Sequence, residues 1–487
     1  MNKKIIYCVA FLVAHFSFAN TVNNNVISIP KHYKTENTFS GNLSNNNSFH
    51  LIFTKNKKTK NYEVFSYLFN GEKTVELPSL ITKQSYNIVS FHQKNEVLSL
   101  LLSYNIKKKS FIKKVDFNLK TKTKTDFKET SHEDLLTSIR GKDKSILIYK
   151  TDEAFRVLTY PGNLEPILKE LTFIDNSEVK KFFKNTSVTS VKTDEFVANG
   201  ATSKVRLYYE NNTLFFTRDS DEPFNVSVIG ISLNNKRANI TEVLKFDLSG
   251  LNLSPEFLTF ENGGGEKFKK ATSFFTKEKL FQLALSKKVG FISISDVHSG
   301  KLLNTISLDN SISNYVKGNV DFQGIENFLN NAGRNKYNAT ITANKTKSDK
   351  VRIRVDYVDI TYSYNYNWWW HHQMFMMQQQ QFQMQNIQRN IPSGFGPNAL
   401  DDYVFENAVV DKEKRFFELL IDAKGNLLKD ELPSTFYKEI VKENYINKLE
   451  DILDYKFESS CFLDNSFRFI AYSKSLKQFS IQSNKLK

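Results

Sequence analysis

Residues 271–308 read ATSFFTKEKLFQLALSKKVGFISISDVHSGKLLNTISL. The stretch alternates short apolar runs with polar breaks. ATSFFT, FQLALS, GFISISDV and LLNTISL each have the length and β-branched or aromatic content of a strand. Between them lie turns, of which HSGK carries Gly300, the residue a tight hairpin needs for a left-handed backbone. Four strands joined by short turns make an antiparallel meander.

The same pattern extends in both directions. FHLIFT (49–54), YEVFSYLF (62–69) and KTVELPSL (73–80) form one group. YNIVSFHQ (86–93), EVLSLLLSYN (96–105), SFIKKVDFNL (110–119) and KTDFKE (124–129) form a second, and SILIYKT (145–151), AFRVLTYP (154–161) and EPILKELT (165–172) a third. KVRLYYE (204–210), TLFFTRD (213–219), FNVSVIGISL (224–233) and ANITEVLKF (238–246) form a fourth. Further on, NATITANKT (338–346) and KVRIRVDYVDITYSYNYN (350–367) make a hairpin that resumes after an interruption at RFFELLIDAKGNLLKDEL (415–432). The final strands, in CFLDNSFRFIAYSKS (461–475) and KQFSIQS (477–483), are expected to pair with NVISIP (25–30) and so close a ring with both termini. One such sheet cannot bury both faces by itself, whereas several stacked about an axis can.

Repeats of this length and composition resemble β-propeller blades of the WD40 and quinoprotein-like kind. The Trp-Asp dipeptide of many WD40 blades is absent. The resemblance implies an all-β platform of about seven irregular four-stranded blades, and no chemistry. Six or eight blades, or two packed β-domains, are the rival arrangements. Helices are few: SEVKKFFKN (177–185), GIENFLNNAG (324–333) and a C-terminal helix over 433–455 with Ser434 or Thr435 as its cap and Ile440, Tyr445, Leu449 and Ile452 at helical spacing.

Composition bounds the function. The chain has 487 residues, 40% of them hydrophobic, which is enough for a large core. It begins MNKK, continues with the apolar run IIYCVAFLVAHFSFA and presents small residues at Ser17 and Ala19, the pattern of a secretory signal peptide over 1–19. The mature chain over 20–487 then holds one cysteine, Cys461, expected as a buried small residue. The wealth of Lys, Asn, Phe and Ile suits an AT-rich bacterial genome, so the expected location is the periplasm or the cell surface. Fifteen lysines against five acids fall within residues 55–124. They cluster in turns such as KNKKTK (55–60), without the arginines that phosphate recognition prefers, which argues for solvated hairpin tips and against nucleic acid.

One segment breaks the pattern. Residues 366–400 read YNWWWHHQMFMMQQQQFQMQNIQRNIPSGFGPNAL, and they hold every Trp and every Met beyond Met1. Neither strand nor helix periodicity fits, so the segment reads as a long insertion loop within a hairpin. Trp368, Trp369, Trp370, Phe375, Met376, Met377 and Phe382 offer the large, adaptable side chains of recognition surfaces, for an envelope protein or a membrane surface. His371, His372 and Met374 offer imidazole and thioether donors that suit copper(I), the one metal the sequence points to. A low-complexity insertion without a role is the third reading.

No GxSxG, HExxH, GxxxxGK or CxxC motif is present. The run Asp219-Ser220-Asp221-Glu222 reads as a hairpin tip, and His50, His92, His132 and His298 as packed or turn residues. The leading expectation is an exported, non-enzymatic propeller that docks a partner through the insertion. The alternatives are a propeller hydrolase, lyase or glycan-active enzyme working in the central channel, and a periplasmic copper binder. Oligomeric state is open.

Overall fold

The apolar runs and their turns fold into seven sheets, antiparallel but for one strand of the fourth, set as blades about a central channel: the chain is a seven-bladed β-propeller. The computed structural model describes residues 25–486 except 107–108, 133–134, 163, 185–187, 198–199, 201–202, 221–239, 262–267, 277, 321, 336, 360–362, 365–407 and 410–414. The strand expected at 224–233 and the glycine run 263–265 lie outside the described residues.

Strand β1 (Asn25–Ile27) stands apart at the N-terminus. Blade 1 holds β2 (Tyr33–Asn42), β3 (Ser48–Asn56), β4 (Tyr62–Phe69) and β5 (Thr74–Thr82). Blade 2 holds β6 (Asn87–Lys94), β7 (Val97–Ile106) and β8 (Lys109–Asn118), with its outer place shared by β9 (Thr123–Asp126) and β10 (Thr130–His132). Blade 3 holds β11 (Leu135–Arg140), β12 (Lys144–Lys150), β13 (Ala154–Pro161) and β14 (Ile167–Thr172). Blade 4 has five strands: β15 (Val188–Ser190), β16 (Val205–Glu210), β17 (Thr213–Ser220), β18 (Ile240–Asp247) and β19 (Pro255–Glu261).

Blade 5 is the meander that opened the reading: β20 (Lys270–Thr276), β21 (Lys279–Leu285), β22 (Gly290–Asp296) and β23 (Leu302–Ser307). Gly300 adopts φ +67° in the last turn, as the hairpin requires. Blade 6 draws its outer place from β24 (Lys317–Val320), which precedes its inner strands β25 (Tyr337–Lys345) and β26 (Val351–Asp359). The short pair β27 (Ser363–Tyr364) and β28 (Ala408–Val409) comes next, before β29 (Phe416–Ile421) and β30 (Leu427–Leu428). Blade 7 holds β31 (Tyr455–Phe462), β32 (Ser466–Ser473) and β33 (Gln478–Lys485), and β1 pairs antiparallel with β33 as its outer strand. Both termini therefore close the ring, as expected.

The blades join through buried side chains. Phe155 of blade 3 stacks on Phe183 at 5.2 Å, and Phe183 meets Phe216 of blade 4 edge-on at 4.9 Å. Phe182 and Phe183 close a short helix, α1 (Ser177–Phe182), that covers this junction. Polar staples add direction. Asp219 accepts from Arg206 at 2.5 Å and from the Ser273 backbone of blade 5 at 3.1 Å. Asp219 is therefore a buried residue of β17, not the hairpin tip read from its polar neighbours. At the closing seam Arg468 of β32 is 1% exposed and donates to the Phe69 carbonyl of blade 1 at 2.9 Å.

Helix α2 (Ile325–Ala332) turns its Ile325, Phe328 and Leu329 into the core. The C-terminal helix is shorter than the 433–455 expected: α3 spans Lys442–Glu450. Thr435 instead forms an isolated bridge to Thr346, which holds the chain before α3 extended. Ile452 lies beyond the helix and is exposed. Among the described residues no helix is long and apolar enough to cross a membrane.

Candidate functional site

Two places carry more than packing. The first is the root of the insertion. Strands β26 and β29 are sequence-distant yet pair residue by residue, from Val351 with Ile421 to Asp356 with Phe416. Beyond them β27 pairs with β28, so the chain leaves and returns along a two-stranded stem. Arg352 of β26 forks onto both carboxylate oxygens of Glu418 on β29 at 3.0 Å each, and Arg354 lies 3.5 Å over the Phe416 ring. Trp368, Trp369, Trp370, His371, His372, Met374, Phe375, Met376, Met377 and Phe382 all lie outside the described residues.

The second place is the channel, for which the sequence named no residues. Strand β15 pairs parallel with β16 on its inner edge, so it stands inside the ring, where it meets β11 of blade 3. The chain after it reaches across to the inner strand of blade 6. There the Val197 amide and carbonyl bond the side chain of Asn344 on β25 at 3.0 and 2.9 Å. Gly200 sits where a Cβ would lie 2.7 Å from Thr340, so this crossing needs its glycine.

Beside the crossing segment lies a cavity of about 250 Å³, floored by Phe39, Ile88, Phe91 and Ile139. Its polar rim is Arg140, Lys142, Lys192 and Asp194. Arg140 closes β11, and its guanidinium lies 3.8 Å over the Phe91 ring and donates to the Asn42 carbonyl at 2.7 Å and to the Asn42 side chain. Burial pulls it down to about 10, against the opposing pull of Asp194, Cys461 and Glu195. Burial likewise lowers Lys192, which makes no hydrogen bond among the described residues. Burial alone would raise Glu195, but Lys442, at 2.5 Å, and Lys192 outweigh it and hold the carboxyl below its usual range.

The cavity and the root of the insertion, at β27 and β28, lie on opposite faces of the ring. Arg140 and Asn42 end their inner strands where those strands turn back into the second strands. The insertion leaves blade 6 at the far end of its second strand.

Two of the isolated histidines, His50 and His92, are packing residues. His50 is fully buried, with Ser40 Oγ 2.8 Å from Nδ1 and Ser48 Oγ 3.1 Å from Nε2, and burial, then Arg468, pull it down to about 3. His92 is buried beside Ser145 Oγ, 2.9 Å from its Nδ1. His298 is a half-exposed turn residue 3.4 Å from Glu278, and His132 ends β10. Cys461 is buried and burial pushes its thiol up to about 12, an inert residue. Among the described residues no group of three or more His, Cys, Asp or Glu side chains could hold a metal ion.

Comparison with known proteins finds distant structural likenesses only. No protein-family model and no curated protein matches the chain. Among solved structures, it is similar to the β-propeller domain of the Trilobed protease from Pyrococcus furiosus, at 8% identity and a TM-score of 0.32, over 93% of this chain and 97% of that one. It is similar to the WD40 domain of SCAP from fission yeast, at 8% identity and a TM-score of 0.28, over 95% and 98% of the two chains. An α-L-arabinanase from Penicillium chrysogenum aligns at 9% identity and a TM-score of 0.26, over 84% and 100%. Scores this low carry no argument, and the fold rests on the sheet order itself.

Proposed function

We propose that this protein is an exported, non-enzymatic β-propeller that docks a protein of the bacterial cell envelope through residues 366–400. The observation that carries the reading is the intact blade 6. Its second and third strands pair without a break across the insertion, so the blade does not need the inserted residues to form. An insertion of this composition is then a load the ring carries for another purpose. Trp368, Trp369, Trp370, Phe375, Met376, Met377 and Phe382 supply the aromatic and thioether contact area that hot spots use. The N-terminal pattern of residues 1–19 supplies the export signal.

The test is affinity purification of the tagged protein from envelope fractions, with and without residues 366–400, read by mass spectrometry. Specific envelope proteins that co-purify with the full chain and are lost with the deletion support docking. Recovery of lipid alone by the full chain would favour a membrane surface as the target. The same protein partners on the deletion variant, with the ring still folded, would refute it.

A further inference from the structure

We infer that the channel cavity beside Arg140 is a binding site for a small organic anion, an oxyanion head on a compact apolar or sugar-like body. The charge census points to the head. Arg140, Lys142 and Lys442 lie round the crossing segment, which itself carries Lys192, Asp194 and Glu195. Lys442 pairs with one oxygen of Glu195 at 2.5 Å, and the census is four cations against two carboxylates. Arg140 spends its hydrogen bonds on a single neutral residue, Asn42, and Lys192 makes none among the described residues. Half-buried Arg140 and Lys192, with exposed Lys142, line an open volume, and a cluster of cations round a cavity suits oxyanion recognition.

The floor points to the body. Phe39, Ile88, Phe91 and Ile139 give the cavity an apolar base, and its volume of about 250 Å³ exceeds what a bare inorganic ion fills. Gly41 keeps that base in place: a Cβ there would lie 2.2 Å from the Phe49 ring and 2.7 Å from Phe91. The chain from Val188 to Val197 is what brings Lys192 and Asp194 to the rim. This site lies on the face opposite the root of the insertion and does not depend on docking.

The test is calorimetric titration of the mature chain at constant ionic strength with inorganic phosphate, glucuronate against glucose, and benzoate against benzyl alcohol. One organic anion should bind about tenfold or more tightly than its neutral counterpart, since a charged hydrogen bond is worth that much, and more tightly than phosphate. Lys192→Gln removes a cation whose other role is its attraction to Glu195 and Asp194, so it should weaken that binding about tenfold while the ring stays folded, with at most a small fall in melting temperature. Arg140→Gln should do the same, with some loss of stability from the Asn42 contact. The proposal is overturned if no anion outbinds its neutral counterpart. Equal binding of all three anions, a mere ion atmosphere, overturns it too, as does wild-type affinity in both variants.

Discussion

Replacing Arg352 by Met should cost about 3–5 kcal/mol of stability, and the structure says why. Arg352 and Glu418 are 8% and 7% exposed on neighbouring strands of blade 6. The guanidinium forks onto both carboxylate oxygens at 3.0 Å, and its other arm reaches Glu439, a half-exposed residue of the link to α3. Methionine keeps the aliphatic bulk and removes the charge, which leaves Glu418 buried without its cation. Breaking a buried pair from one side carries that penalty of about 3–5 kcal/mol, whereas replacing both partners by apolar groups is often near neutral. Arg352→Met/Glu418→Leu should therefore recover most of the loss, to within about 1–2 kcal/mol of the wild type. Urea unfolding followed by far-UV circular dichroism reads both. An Arg352→Met loss below about 1 kcal/mol, or a double variant as unstable as the single, would refute the reasoning.

The closing strand gives a paired test. Ile27→Ala should cost about 2–4 kcal/mol, because Ile27 is 6% exposed against Ile481, Phe479 and Phe69, while Val26→Ala, 54% exposed, should stay within about 0.5 kcal/mol; equal effects in urea unfolding would contradict the closure. His50 and His92 are held at about 3 and about 4, below the ordinary 6.5, so the unfolded chain binds more protons as pH falls below that value. Their stabilisation is full above about pH 6.5 and declines below it, by of order 2 kcal/mol each at pH 4.5. Melting temperatures from pH 7.5 to 4.5 should fall less steeply in His50→Gln than in the wild type, and parallel curves would count against the assignment. Copper(I) titration should show no binding tighter than micromolar; stoichiometric nanomolar binding lost on Ala substitution of His371, His372 and Met374 would favour the metal reading instead.

What the sequence made legible was the outer architecture. Strands that are mostly apolar or alternate apolar with small residues, such as β21 and β22, announce themselves, and the pairing of NVISIP with the last strand follows from the leftover edge at each terminus. The inner strands were harder. YKTENTFSGN (33–42) and LLTSIR (135–140) escaped the reading, because a strand that shows one face to the channel carries fewer apolar residues than one buried on both. Arg140 and Asn42 end those two strands, so losing the strands also hid the cavity. Lys192 and Asp194 follow β15, whose parallel pairing inside the ring has no local signature. The unexplained length between the strands at 165–172 and 204–210 was the one available sign. Asp219 was misread because polar residues near a turn look solvated until a neighbouring blade supplies their partners, and the start of α3 because Thr435, read as a helix cap, bridges to Thr346 instead.

The most direct test of docking removes the aromatic contacts and nothing else. Trp368, Trp369 and Trp370 would be changed together to Ser, and the tagged variant compared with the wild type in envelope co-purification at matched expression. The account predicts a folded ring with an unchanged melting temperature and the loss of the specific envelope partners. Retention of those partners by the triple variant would contradict it.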